Sequence, residues 1–239
     1  MKNKKFDASI PLLIYLLFTL TMLYPVGIAV SSLFGYTFKL TNVVTYTSVV
    51  AILSVCAVVL TFILKIELQK KSVSILLTCL PLISMINAML LVFFHGGLLV
   101  IVNTFVSALC CFVMALFFGK HLVLKIFLLT LSVLMIFPFA YLSFISFIFG
   151  DLPHNTVVQT VESPNEKYYA QVINSDQGAL GGNTLVDVYK GRKMNFIIFT
   201  LEKKPERVYE GDWGYGEHMD IYWKDDKCLI IDSKEHVME

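Results

Sequence analysis

The first 150 positions alternate between long apolar runs and short polar or glycine-marked breaks. A helix needs about 20 apolar residues to cross the hydrocarbon core of a bilayer. Five runs reach that length: Ser9–Phe34, Val43–Leu64, Val73–Phe93, Leu98–Phe118 and Leu122–Phe149. The breaks are Gly35–Asn42, Lys65–Ser72, Phe94–Gly97 and Gly119–His121, and the third rests only on His95-Gly96-Gly97. Backbone amides in lipid must bond within their own segment, and these runs lack the period-2 alternation of a membrane barrel, so the pattern predicts helices. The fifth run is long enough to tilt, or to kink at Pro138. Pro25 and Pro81 predict kinks in the first and third.

From Asp151 the period shortens. Met219, Ile221 and Trp223 fall on one side of an extended chain, with His218, Asp220, Tyr222 and Lys224 on the other. The predicted strands are Thr156–Glu162, Tyr168–Asn174, Thr184–Tyr189, Asn195–Leu201, Arg207–Glu210, His218–Trp223 and Cys228–Asp232. Turn-forming stretches separate them: Ser163-Pro-Asn-Glu166, Gly178–Asn183, Gly191, Lys204-Pro205, Gly211–Gly216 and Asp225-Asp226. The pattern therefore predicts a multi-pass α-helical membrane protein of about five transmembrane helices, residues 1–150. A small C-terminal antiparallel all-β domain follows, residues 151–239.

Composition agrees: 56% of the 239 residues are hydrophobic and the mean hydropathy is +0.72, a balance that points to a membrane protein. Charge adds an orientation. Nine Lys/Arg and two Asp/Glu precede Asp151, against ten and sixteen from there onward. Lys2, Lys4 and Lys5 precede the first span, Lys65, Lys70 and Lys71 mark the second break, and Lys120 and Lys125 the fourth. The alternate breaks carry only Lys39 and His95. Cytoplasmic loops are the lysine-rich ones, so the N-terminus is expected in the cytoplasm of a bacterial plasma membrane and the β domain outside it. Met1–Lys5 with the apolar run also fits a signal peptide with a small-residue site near Ala29–Ser31; cleavage would leave four spans and the same external domain. The acidic domain is a poor match for phosphate backbones, so no nucleic acid is expected. The expected partners are the lipid bilayer and an envelope protein or a second copy.

Chemistry-bearing residues are sparse. The spans contain no Asp, Glu or Arg, which ion-coupled transport and intramembrane proteolysis usually need. Asn87 and Asn103 read as interhelical hydrogen-bonding groups, and Ser107 and Ala108 as packing residues. Four cysteines lie in apolar runs, Cys228 is the only one in the polar part, and no CxxC pair occurs. No catalytic residue, cofactor or metal is predicted. Two loops are candidate ligand contacts. Ser175–Thr184 offers Asp176, Gln177, Gly178, Gly181, Gly182 and Asn183. It lacks the Lys-Ser/Thr of a P-loop, and it reads either as a hairpin connection or, being ten residues long, as a binding loop. Gly211–His218 offers Asp212, Trp213 and His218. If His218 and Asp220 share a strand face about 6.5 Å apart, they could form a site with Asp212, the alternative being a solvated edge. Glu162, Glu166 and Asp187 have only their composition to suggest acid–base work.

Ser163-Pro-Asn-Glu-Lys-Tyr-Tyr-Ala170, Asp176–Thr184, Val186-Asp-Val188 and the later Ile221-Tyr-Trp-Lys-Asp-Asp-Lys-Cys-Leu-Ile230 together resemble a C-terminal domain of uncharacterised bacterial membrane proteins and lipoproteins. That domain runs S-P-D-G-K-Y-x-A, then a Gly-Ala loop and a valine-rich strand, and closes on a W-x-x-D-x-x-L-x-I hairpin. Asn165-Glu166 stands where Asp-Gly is usual, so another turn type is expected. The resemblance spans about 80 residues, implies a β fold and supplies no catalytic residues. Three readings follow: a helical anchor for an extracytoplasmic β domain that contacts proteins or the envelope; a sensor binding a small ligand or cation through loops 175–184 and 211–218; and a hydrolase built on Asp212 and His218.

Overall fold

The computed structural model describes residues 4–63, 71–149, 154–177, 181–191 and 193–238. The apolar runs form helices α1 (Lys4–Leu33), α2 (Val43–Ile63), α3 (Lys71–His95) and α4 (Leu98–Phe118), with α5 (Leu122–Leu134) and α6 (Ile136–Phe149) sharing the last run. Five segments are long and apolar enough to cross a membrane: Ile10–Leu33, Val43–Ile63, Lys71–His95, Leu98–Phe118 and Leu122–Ile148. The break at His95–Gly97 is real and very short. Gly96 and Gly97 take φ values of 45° and 81°, a conformation that costs other residues strain, so the chain reverses in two residues. In the fifth span the helix breaks at Met135. Pro138 has no N–H for the Leu134 carbonyl, so α5 ends there and α6 carries the proline in its first turn.

The chain divides into two compact units, residues 1–29 with 42–150, and residues 30–41 with 151–239. The first is the helical unit. Its helices bond to each other through neutral polar groups. Asn103 Nδ2 donates to Ser48 Oγ at 2.9 Å and Thr47 Oγ1 at 3.3 Å, joining α4 to α2. The Ser54 and Ser107 hydroxyls meet at 3.0 Å between the same helices. Tyr24 OH meets His95 Nε2 at 2.9 Å, joining α1 to α3. Other hydroxyls turn back on their own helix, as Thr21, Thr61 and Thr78 do toward the carbonyl four residues earlier. Both patterns satisfy polar groups without water.

The second unit holds three antiparallel sheets. The largest runs β2-β3-β4-β7, from His154–Glu162, Tyr168–Asp176, Gly182–Lys190 and Glu206–Asp212. A second runs β10-β9-β8, from Lys234–Val237, Cys228–Ile231 and Ile221–Trp223. Alternation decides the core: Tyr168, Ala170 and Val172 on β3 and Val186 and Val188 on β4 pack with Ile221, Leu229 and Ile231. Trp223 Nε1 donates to the Val161 carbonyl at 3.1 Å and ties the two sheets together.

The third sheet, β1-β6-β5, departs from the sequence reading. Its first strand is Tyr36–Leu40, from the break between the first two spans, which the sequence reading left outside the β domain. It pairs with β6, Phe199–Lys203, from Tyr36↔Lys203 to Leu40↔Phe199. Backbone bonds from Lys204 N to Gly35 O and from Thr41 N to Ile198 O, both 2.9 Å, extend the ladder at each end. The expected strand Asn195–Leu201 is two strands, β5 (Met194–Asn195) and β6, around an exposed turn at Phe196–Ile198. The last strand, β10, was not expected from the sequence.

Tyr169 and Tyr189 alternate away from the core and stack at 4.8 Å between ring centroids. The Tyr169 hydroxyl donates to Glu202 Oε1 on β6. Glu202 is buried, and its other oxygen lies 3.2 Å from Lys39 Nζ on β1. Burial and the neighbouring Glu202 raise the Tyr169 phenol, and burial, Glu202 and Asp187 push Tyr189 up to about 12. Both tyrosines are therefore neutral donors at physiological pH.

Two predictions follow from these contacts. Lys39→Ala leaves a buried carboxylate with one partner fewer, and Glu202→Ala leaves Lys39 and Tyr169 without their acceptor. Each is expected to cost about 1–3 kcal/mol, discounted for the half-exposed lysine, and the two losses to be less than additive. Thermal unfolding of the detergent-solubilised chain, with limited proteolysis at residues 34–42, reads both the loss and the release of β1. In the helical unit, Asn103→Leu is expected to cost about 1 kcal/mol in the same melt, the usual scale for a hydrogen bond between membrane helices.

Candidate functional site

The two glycine-containing loops singled out in the sequence meet at one end of the four-stranded sheet. β3 and β4 continue to Asp176 and Gly182, which pair with each other. Only residues 177–181 remain as connection, closed by a bond from Gln177 N to Gly181 O at 2.8 Å. Half of the ten-residue stretch, residues 175–176 and 182–184, is thus strand. Gly181 takes a φ of 91°, and Gly178 lies outside the described residues. On the neighbouring strand Asn183 faces Asp212 and Thr184 faces Gly211. Asn183 Nδ2 donates to Glu210 Oε1 at 2.7 Å.

Beyond β7 the chain folds back over this end. Trp213 covers Gly182 so closely that a Cβ there would stand 2.7 Å from the indole Cδ1 and 2.4 Å from the Ser175 carbonyl oxygen. Gly214 turns the chain at a φ of 81° into a single 3-10 turn, Tyr215–Glu217. Gly216 is buried against Val172, Asn174 and Thr184. The result is a shelf on which Trp213 is 58% exposed and Tyr215 40% exposed. Asp212, Glu217 and His218 stand exposed beside them. The Tyr215 phenol is held above its ordinary range, chiefly by the Asp232 carboxylate.

The expected site of Asp212, His218 and Asp220 does not form as drawn. β8 begins at Ile221, so His218 and Asp220 share no strand face. His218 instead caps the short 3-10 turn: its N donates to Tyr215 O at 3.0 Å. Asp220 N donates to Asp232 Oδ1 at 3.1 Å and closes the β8–β9 end. Among the described residues no group of three His, Cys, Asp or Glu side chains could hold a metal ion. No hydrogen bond joins Asp212 to His218 there. Asp187, considered for acid–base work, is buried and held by Arg207 in a two-point pair, at 2.9 Å from Nε and 3.2 Å from Nη2.

The segments that carried the resemblance are structural. In the Ser163–Lys167 turn, Ser163 Oγ accepts from Tyr168 N at 3.0 Å and Asn165 Oδ1 from Lys167 N at 2.9 Å. Glu166 takes a φ of 56°, a left-handed conformation that glycine adopts without strain. Asn165 N donates to Asp226 Oδ1 at 2.9 Å, which joins this turn to the β8–β9 turn.

Sequence reasoning noted Asn87 and Asn103 but not that they border one cavity. With Tyr46, Thr47, Ser84 and Thr104, and the apolar Val50 and Leu91, they line a small space among α2, α3 and α4. Asn87 Oδ1 is buried there and has no protein donor among the described residues. The signal was a spacing of hydroxyl and amide residues along three helices, which only the packing brings together.

The loop packing generates a prediction. Gly182→Ala drives a methyl group into the Ser175 carbonyl and Trp213, and is expected to cost about 1–3 kcal/mol, the range for overpacking. The melt of the whole chain reads the loss, and a red shift of tryptophan emission reports the displacement of Trp213.

No curated protein and no solved structure matches the chain. A family match does exist, over residues 119–239, from the last span through β10. It covers the shelf and both turns that carried the resemblance, and it stops short of β1. Across just over half its length, then, the chain belongs to the family of unknown function DUF5412.

Proposed function

We propose that this chain is a multi-pass protein of the bacterial plasma membrane whose helices anchor an extracytoplasmic β domain that binds another envelope protein or a second copy of itself. One observation carries the orientation. β1 comes from the break between the first two spans, yet it is a strand of the β domain. A hydrogen-bonded ladder cannot run through hydrocarbon, so that break and the domain share one side of the membrane. The lysine-rich breaks and the N-terminus fall on the opposite side, which the positive-inside rule assigns to the cytoplasm. Lys39 is the one lysine in a break of the domain's side, and its partner Glu202 offsets it. The bacterial setting is supported by the resemblance of the two turn segments to bacterial envelope domains. The binding role is supported by the shelf at the sheet end, where aromatic and polar groups stand exposed together.

That shelf also favours a second reading, a sensor for a small cationic ligand. Trp213 and Tyr215 stand beside Glu210, Asp212 and Glu217, and aromatic faces among carboxylates attract cations.

The orientation is tested with a tag after Glu239 and protease added to intact cells lacking an outer-membrane barrier. Loss of the tag while a cytoplasmic control survives is the expected result. Survival until lysis would overturn the extracytoplasmic reading. Crosslinking in the same cells is expected to return a discrete heteromeric or dimeric band that Trp213→Ala weakens. A thermal shift of the intact chain with a polyamine, lost in the same variant, would favour the sensor instead.

A further inference from the structure

The turn between β5 and β6 presents an apolar tip. Met194, Phe196, Ile197 and Ile198 are all exposed, and Ile197 is 96% exposed, the most exposed large apolar side chain among the described residues. Phe196 and Phe199 stack at 4.6 Å, and Phe199 stacks on Phe38 of β1 at 4.8 Å, so the turn has a rigid aromatic base. An apolar tip of this kind is an odd feature on a domain facing water, where exposed apolar residues are usually scattered singly.

Two observations name what covers it. The first is the chain's own connectivity. The tip is bound to Thr41, whose N–H donates to Ile198 O at 2.9 Å and whose hydroxyl donates to Phe196 O at 3.4 Å. Val43, only two residues further, begins the second membrane-crossing helix. Two residues span at most about 7 Å, so the tip is attached close to where the chain enters the bilayer. The second is charge. Residues 190–204 carry five of the ten Lys and Arg found from Asp151 onward, namely Lys190, Arg192, Lys193, Lys203 and Lys204, and one of the sixteen acidic residues. The remainder of the domain is strongly acidic. An apolar tip bracketed by lysines and arginine, on a domain otherwise negative, matches the boundary between anionic headgroups and acyl chains.

We propose that Phe196, Ile197 and Ile198 insert into the interface of the lipid leaflet beside the second span, with Lys190, Lys193 and Lys203 against anionic headgroups. The turn is then a second, shallow membrane contact of the β domain, in addition to its covalent connections. It requires only that the helices cross a membrane and holds for either orientation of the chain.

The test places an environment-sensitive fluorophore on Ile197→Cys in the full-length chain. The protein is reconstituted into nanodiscs of phosphatidylethanolamine and phosphatidylglycerol, with the wild-type chain and its five native thiols as the labelling background. Discs made with lipids brominated near the glycerol end of the acyl chains supply the quencher. The expected result is blue-shifted emission and at least about a twofold loss in the brominated discs, the behaviour of a side chain at the headgroup boundary. Water-like emission unaffected by bromine would overturn the proposal. Blue-shifted emission unaffected by bromine would also overturn it, and would assign the tip to a protein partner or a second copy. Because Ile197 touches so little of the fold, its replacement leaves the domain intact, and Phe196→Cys provides an independent second position.

Discussion

The pairing of β1 with β6 is the constraint on which the rest of the architecture depends. It joins Tyr36 to Lys203, partners separated by most of the chain. Without it the second unit would be attached to the helices at one point, after α6. With it the chain passes between the two units three times, after residues 29, 41 and 150. Five interstrand partners, two flanking backbone bonds and the Lys39–Glu202–Tyr169 cluster hold the strand in place. So non-local a pairing forms late, because the loop must be closed before any contact forms.

Most of the helical half was legible because the bilayer imposes a single length and a single solution for the backbone. The breaks at residues 35–42 and 119–121 fall between helices in the structure, and the one at 94–97 narrows to Gly96–Gly97 because α3 runs on to His95. The β half was legible where alternation is strong, as in Tyr168–Asn174 and Thr184–Tyr189. It failed where neighbours decide. Phe196–Phe199 within Asn195–Leu201 is a continuous apolar run, so period alone could not reveal that Phe196–Ile198 turns outward while Phe199 begins a strand. His218–Trp223 alternates well, yet its first half follows the 3-10 turn Tyr215–Glu217 as turn and irregular chain, and the strand begins only at Ile221. Tyr36-Thr-Phe-Lys-Leu40 carries strand-forming residues in alternation, a real signal, but beside two twenty-residue apolar runs it read as a break.

The candidate site shows the same division. Each loop was visible as glycine and polar composition, and their meeting was not, because Trp213 and Gly182 are brought together by the β4–β7 pairing. The metal reading depended on a strand that the structure shortens. The turn motifs carried a family resemblance for a mechanical reason: Asn165, Asp226 and Trp223 join one sheet to the other.

The distances within the β domain bear on how it works. Tyr169, which bonds Glu202 in the β1–β6 sheet, stands at the start of β3, and Asp176, at the edge of the shelf, stands at its end. Seven residues of extended chain separate them, about 23 Å at 3.3 Å per residue. The attachment and the shelf are therefore at opposite ends of one strand. The strand between them packs its alternate residues into the core from Tyr168 to Val172, and such a strand does not bend independently. β3 and β4 thus link the exposed shelf at Trp213 to β1 through Tyr169, Glu202 and Lys39, by contacts that can be removed one at a time.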